Sequence, residues 1–132
     1  MAPAAADVIA AHLEDFKVRP MDYDAIITGD LGTVGQKILI DLLNEKGYNI
    51  EMIHRDCGIE IFDKNQQHTC AGGSGCGCSA VTLSAFFLPK LIKGIWKKIL
   101  FVPTGALLST VSFNEGENVS GIAHAVVMEH EF

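Results

Sequence analysis

The chain has 132 residues and a formal net charge of −6 at pH 7. A chain of this length is typical of one domain, so we expect residues 1–132 to form a single folded unit. The acidic balance gives no electrostatic support for nucleic-acid binding, and no apolar run reaches the ~18 residues that a membrane-spanning helix needs. The N-terminus has no basic stretch before its apolar residues, so we expect no signal peptide and free cysteine thiols inside a cell.

Apolar residues at helical spacing predict two amphipathic helices in the first part of the chain, at 3–16 and 33–46. Between them, the apolar β-branched run at 22–30 predicts a buried strand that ends in a glycine turn. The predicted apolar stripe of the second helix consists of Val34, Ile38, Leu42 and Leu43.

The remainder of the chain predicts one more helix and three strands. The expected elements are a strand at 57–63, a loop at 64–78, a helix at 79–95, a strand at 97–106, a loop at 107–119 and a strand at 121–130. Apolar residues surround the third helix from Ala80 to Leu88, so we expect it to be buried on all sides, and Pro89 should kink or break it. Strands that alternate with helices indicate an α/β fold with parallel strand pairs.

Two glycine-rich stretches, at 29–35 and 72–79, each precede a predicted helix. The N-terminus of a helix offers free N–H groups and a positive dipole end, so the two stretches together could hold a small anion. Ser74 and Ser79 could add directional hydrogen bonds, as could Asp30, although we expect Asp30 to cap the second helix because its charge repels an anion. The alternative is that the glycines only allow tight turns and close approach of the backbone.

The cysteines allow two further interpretations. Cys57, Cys70, Cys76 and Cys78, with His54 and His68, supply enough ligands for zinc, but they contain no C-x2-C pair, so we expect no metal site and no other cofactor. A nucleophilic thiol is the second possibility, because a cysteine near the start of the third helix can have a lowered pKa. Its candidate members are Cys76 or Cys78 with His68, His124 or Asp30, and the spacing selects none of them.

Four segments together resemble the stage V sporulation protein AD family of endospore-forming bacteria. They are "DYDAIITGDLGTVG", "DCGIEIFD", "AGGSGCGCSAV" and "PTGALLSTVSFNEGENVSGIAHAV". That family is similar to thiolases and ketoacyl-acyl-carrier-protein synthases, and this chain resembles its C-terminal half. The resemblance implies a thiolase-like half: a mixed five-stranded sheet with helices on both sides, in which residues 79–95 take the place of a central helix.

The resemblance also implies that condensation chemistry is lost. Condensing synthases carry a catalytic His in the turn after the first strand of this half, where the present chain has Gly29 or Asp30. Synthases that act on short acyl chains carry a catalytic Asn before the central helix, near the position of Ser74. Without this pair, the donors that stabilise a developing oxyanion are missing.

The family is associated with spore germination and with binding of dipicolinic acid, so the resemblance implies a non-catalytic protein that binds this dicarboxylate and supports its uptake into the spore. It also implies a peripheral position at the spore inner membrane, beside stage V membrane proteins of the same operon. A degenerate acyl transferase, or an assembly module that pairs through Ala80 to Ile92 as a homodimer, remains the alternative. The expected ligand-binding residues are Asp30, Gly32, Gly73, Ser74, Gly75, Cys76, Cys78, Thr104 and Gly105.

Overall fold

A computed structural model describes residues 1–107 and 109–131, so Leu108 in the predicted loop 107–119 and Phe132 lie outside the described residues. The helices are α1 (Ala2–Asp15), α2 (Gly32–Glu45), α3 (Cys57–Glu60), α4 (Cys78–Thr82), α5 (Leu88–Ile92) and α6 (Thr110–Asn114). The strands are β1 (Ala25–Thr28), β2 (His54–Asp56), β3 (Lys98–Val102), β4 (Thr104–Leu107), β5 (Ser120–Ala123) and β6 (Val126–Glu129). A 3-10 turn at Pro20–Asp22 precedes β1, and a π-helical turn at Leu83–Phe87 joins α4 to α5.

The main sheet has the strand order β2-β1-β3-β6. Strand β1 is parallel to both β2 and β3, whereas β6 runs antiparallel to β3. Strands β4 and β5 form a separate antiparallel pair. The predicted α/β class with a mixed sheet is therefore confirmed, but the strands divide into four and two instead of forming one sheet of five.

Helices cover both faces of the main sheet because the side chains of each strand alternate between two cores. Ile26 and Leu100 face one way and pack against Ile9 and Leu43 of α1 and α2. On the opposite face, residues of β1 and β3 pack against Phe87 and the helical segments around it. Loops that lead to helices on both faces of the sheet therefore meet beyond the C-terminal ends of β1 and β2.

Pro103 divides the predicted strand 97–106 into β3 and β4. Proline has no backbone N–H to donate to a strand ladder, and the chain moves from one sheet to the other at this residue. His124 lies opposite, and its backbone N–H donates to the Pro103 carbonyl over 3.3 Å. The predicted strand 121–130 is likewise divided into β5 and β6, and the break includes His124, opposite Pro103.

The predicted strand at 57–63 is wrong. Thr28, the last residue of β1, pairs with Asp56, so the sheet offers no strand for the next residues to pair with. The chain turns there into α3, and the Gly58 N–H donates to the Gly29 carbonyl over 3.1 Å. In the predicted loop 107–119, the structure adds helix α6, whose first turn is capped by the Ser109 hydroxyl.

Helices α4 and α5, with the π-helical turn between them, form one continuous helix at Cys78–Ile92, which we call the central helix. The Leu88 N–H donates to the Leu83 carbonyl, five residues back, immediately before Pro89. This wider turn accommodates the proline, which would clash with the carbonyl four residues back in a regular α-helix.

The predicted burial of this helix on all sides is wrong for the described chain. Phe87 and Leu91 are buried against the sheet, but Val81 is 56% exposed and Ile92 is 73% exposed. The stripe predicted for α2 is also partly wrong, because its buried positions include Leu39 and Leu43, whereas Val34 and Ile38 are exposed.

Candidate functional site

A cavity of about 570 Å³ lies beyond the C-terminal end of β1, where three segments of the chain meet. The turn after β1 supplies one wall, the glycine-rich loop before the central helix supplies a second, and the start of β4 supplies a third. Its lining residues are Met1, Asp30, Ser74, Gly75, Cys76, Ser79, Thr104, Gly105 and Ala106. Loops beyond the carboxyl ends of parallel strands are where α/β proteins commonly bind ligands.

The structure brings six of the nine predicted ligand-binding residues together in this lining: Asp30, Ser74, Gly75, Cys76, Thr104 and Gly105. The other three, Gly32, Gly73 and Cys78, are buried outside the lining. At Gly32, φ is +68°, and an added Cβ would lie 2.7 Å from the Ala71 carbonyl oxygen. At Gly73 the Cβ would lie 2.7 Å from the Ile61 side chain. For these two glycines, close approach of the backbone is the observed role.

Asp30 holds the glycine-rich loop against the turn after β1. Its Oδ2 atom accepts the Ser74 hydroxyl over 2.6 Å and the Gly75 N–H over 3.2 Å. The prediction that Asp30 caps α2 is wrong, because Asp56 does this instead. Its two carboxylate oxygens accept the N–H groups of Leu31 and Gly32 over 2.9 Å and 3.0 Å.

Several backbone N–H groups that the sequence predicted to bind an anion therefore donate hydrogen bonds to other groups of this chain. Asp56 takes the Leu31 and Gly32 amides, Asp30 takes the Gly75 amide, and the Gly73 N–H donates to the Gly58 carbonyl over 2.6 Å. The side chains of the lining are consequently the first groups that a ligand in the cavity would meet.

Thr104 is distinctive among those side chains. Its hydroxyl oxygen is buried and has no hydrogen-bond partner among the described residues. A buried hydroxyl without a partner costs free energy, so such an atom in a cavity wall is a candidate contact for a bound polar group. A second, more apolar hollow of about 330 Å³ shares Thr104, Gly105 and Ala106 with the cavity and extends toward Ile122 and the exposed His124.

The cysteines fall into two buried and two exposed thiols. Burial raises the pKa of the Cys57 thiol to about 12 and also raises the pKa of Cys78, to which the negative charges of Asp30 and Asp56 contribute. The lowered pKa predicted for a cysteine at the start of the central helix is therefore wrong at Cys78. Cys76 is exposed in the cavity wall. Within 1–107 and 109–131, no three side chains of His, Cys, Asp or Glu are grouped to hold a metal ion.

Sequence reasoning missed a group of buried polar residues behind this wall: Thr28, His54 and Asp56, with Gln36 of α2 beside them. Burial lowers the pKa of His54 to about 4, and the nearby positive charge of Arg55 contributes a smaller effect. The signal was present in "IHRDCG", but it becomes visible only once 54–56 is assigned as a strand that ends beside β1.

The fold and this site define an α/β protein whose loops enclose a small polar cavity at the ends of parallel strands. Residues 1–129 match the Stage V sporulation protein AD family, and the chain belongs to that family. It is 46% identical over 129 residues to stage V sporulation protein AD of Bacillus subtilis (strain 168). The aligned segment covers 98% of this chain and 38% of that protein, so the chain spans well under half of its relative.

These comparisons confirm the family predicted from the four sequence segments. The relationship to thiolases, the position in the C-terminal half and the dipicolinate ligand stay predictions. Among the described residues, no helix has both the length and the apolar character to cross a membrane.

Proposed function

We propose that this chain is the ligand-binding part of a sporulation protein and that the cavity beyond β1 binds a small dicarboxylate, dipicolinate, without transforming it. The observation that carries the proposal is the convergence in one cavity of Asp30, Ser74 and the Thr104 hydroxyl, which has no hydrogen-bond partner among the described residues. Its volume of about 570 Å³ lies within the range of small-molecule sites. By resemblance, the complete protein acts at the spore inner membrane, with membrane proteins of the same operon.

The donor set suits a carboxylate, as Asp30 itself demonstrates. The Ser74 hydroxyl and the Gly75 amide already bind one carboxylate oxygen, that of Asp30. Ser79 and Thr104 lie in the same lining and offer two further hydroxyl groups to a second carboxylate. Because Asp30 keeps Ser74 and Gly75 occupied, one carboxylate of a planar dicarboxylate would bind at Ser79 and Thr104, and the remainder of the ligand would fill the rest of the cavity.

Charge opposes such a ligand, and this opposition provides a test. At about 6 Å in water, one pair of like charges repels by about 0.7 kcal/mol, so a dianion facing Asp30 loses about 1.4 kcal/mol, or about tenfold in affinity. Asp30→Asn keeps an oxygen that can accept from Ser74 and Gly75 but removes the charge. We therefore expect dipicolinate to bind Asp30→Asn about tenfold more tightly than the unaltered chain.

Isothermal titration calorimetry with dipicolinate measures this effect. Asp41→Asn is the matched control, because it removes the same charge from an exposed position on α2 outside the cavity lining. Thr104→Val should weaken binding, since it removes the unpartnered hydroxyl. The proposal fails if neither the unaltered chain nor Asp30→Asn binds, or if Asp41→Asn and Asp30→Asn change affinity equally.

A second function, assembly with another copy of this chain, is favoured by the exposed face of the central helix. Val81, Phe86 and Ile92 are large apolar side chains that remain exposed there. Contiguous exposed apolar residues mark interaction surfaces more often than isolated ones do. Sedimentation equilibrium should show a dimer that Val81→Lys dissociates. Val34→Lys, at a comparably exposed position on α2, should leave the dimer intact. A monomer at all concentrations would exclude this assembly.

A further inference from the structure

A chain of hydrogen bonds lies buried behind the turn that carries Asp30. The Thr28 hydroxyl is 2.6 Å from Oδ2 of Asp56 and 3.0 Å from Nε2 of His54. The other ring nitrogen of His54, Nδ1, is 2.9 Å from Nε2 of Gln36. Thr28, His54 and Asp56 are each at most 1% exposed, so water does not substitute for these partners.

The proton positions follow from what each group can donate. Asp56 accepts from Thr28, Leu31 and Gly32, so it serves as an acceptor in all its contacts. Thr28 has one hydroxyl proton and donates it in a hydrogen bond to Asp56. The Thr28 oxygen must then accept a hydrogen bond from the Nε2–H group of His54. This leaves Nδ1 of His54 as the acceptor for the Gln36 amide. A neutral imidazole is required, in agreement with the lowered pKa of His54.

We propose that His54, as the Nε2–H tautomer, is a positioning residue for the wall of the cavity. It orients Thr28 toward Asp56, and Asp56 fixes the Leu31 and Gly32 amides that directly follow Asp30. Asp30 in turn holds Ser74 and Gly75. The buried histidine thus acts on the cavity through two strands and a turn, without touching a ligand.

The opposite tautomer would not serve this role. With its proton on Nδ1, His54 would present an unprotonated Nε2 to Thr28, and the single Thr28 proton could not satisfy both His54 and Asp56. One of the two acceptors would then lose its bond inside a dry interior, where an unmet hydrogen bond is costly. The orientation of the Gln36 amide, which donates to Nδ1, therefore sets the direction of the whole chain of bonds.

Two substitutions of His54 separate positioning from simple filling of space. The terminal amide nitrogen of glutamine can occupy the place of Nε2, so His54→Gln keeps a donor to Thr28. The shorter side chain of His54→Asn places its amide near Nδ1 and leaves Thr28 without that donor. Leu13→Ala, which removes a buried side chain of α1, is the control for general loss of stability.

Nuclear magnetic resonance of the 15N-labelled chain tests the proposal with two readouts that need no ligand. The ring nitrogen shifts of His54 should show the Nε2–H tautomer. Amide exchange at Leu31, Gly32 and Gly75, relative to exchange in β1 and β3, should accelerate about tenfold in His54→Asn. It should stay near the unaltered rate in His54→Gln and in Leu13→Ala. An Nδ1–H tautomer, or equal acceleration in all three variants, would overturn the proposal.

Titration with dipicolinate extends the test to the cavity, and only this arm rests on the proposed function. If the unaltered chain binds, His54→Asn should weaken binding severalfold and His54→Gln should restore it. Equal affinity in all three proteins would overturn the positioning role. If the relative exchange rates change as expected but no protein binds dipicolinate, the positioning role stands and the proposed ligand is wrong.

Discussion

Burial of His54 should make the stability of this protein depend on pH in a range where exposed carboxylates contribute little. Within the folded chain the pKa of His54 is about 4, compared with 6.5 for an unperturbed histidine. The main cause is burial, which penalises the charged imidazolium, and the positive charge of Arg55 adds to it. Asp56, the nearest carboxylate along the network, reaches His54 only through the Thr28 hydroxyl.

The sign follows from counting bound protons. Between pH 6.5 and about 4 the unfolded chain binds a proton at His54 and the folded chain does not, so lowering the pH favours unfolding. The full contribution is present above pH 6.5 and is lost as the pH falls toward 4. A difference of about 2.5 pKa units corresponds to about 3 kcal/mol of the free energy of unfolding. That is a large share of the ~5–15 kcal/mol that stabilises a typical domain.

Urea denaturation at a series of pH values from 7.5 to about 4.5 measures this loss. In His54→Gln the proton-binding group is gone, so its free energy of unfolding should fall less steeply over the same range, and the two curves should converge as the pH falls. Leu13→Ala, which removes no titratable group, should lower the free energy of unfolding by a similar amount at every pH. Parallel curves for the unaltered chain and His54→Gln would refute the conclusion that His54 is buried as a neutral group.

Three further predictions concern packing and accessibility. Gly58→Ala should destabilise the fold by about 1–3 kcal/mol, because the new methyl group would collide with the Gly73 carbonyl. In the same chemical denaturation assay, Gly77→Ala should cost little, because Gly77 has open space around it. Phe87→Ala should cost about 3–5 kcal/mol, because Phe87 is fully buried and stacks on Trp96. Phe86→Ala should lower the free energy of unfolding much less in the same assay, because Phe86 is already partly exposed. A thiol reagent at neutral pH should label Cys70 and Cys76 readily and reach Cys57 and Cys78 only after unfolding.

Elements that depend on local sequence were predictable. Helices α1 and α2 were expected within one residue of their observed bounds, since each has a regular apolar repeat and a recognisable end. Gly47, with φ of +87°, ends α2 in the left-handed conformation that glycine favours. Alternation of strands and helices predicted parallel strand pairs in general, and the pairing of β1 with β3 is one of them.

Elements that depend on distant partners were not predictable in the same way. The alternating pattern at 57–63 indicates a strand only if another strand lies beside it, and β1 has already ended at Thr28. Asp30, which directly precedes the second helix, is the cap that the sequence predicts, and only the pairing of β2 with β1 places Asp56 under the first turn of α2. The location of the cavity was predictable because glycine-rich stretches mark two of its walls. The buried hydrogen bonds of Thr28, His54 and Asp56 behind it correspond to no local sequence motif.

The central helix shows why an all-round apolar pattern does not specify what covers each face. Phe87 lies against the sheet and stacks on Trp96, so one side of the pattern is explained within this chain. Val81 and Ile92 lie on surface that the described residues leave open, although Lys90 partly covers neighbouring aromatic rings from 3.9 Å above Phe86. Exposed apolar residues of this kind mark interaction surfaces, and a second copy of this chain is the partner proposed above for this face. Sedimentation of the chain alone, beside the Val81→Lys variant, tests this pairing, since a charge at Val81 opposes an apolar contact on this face but leaves the core around Phe87 intact.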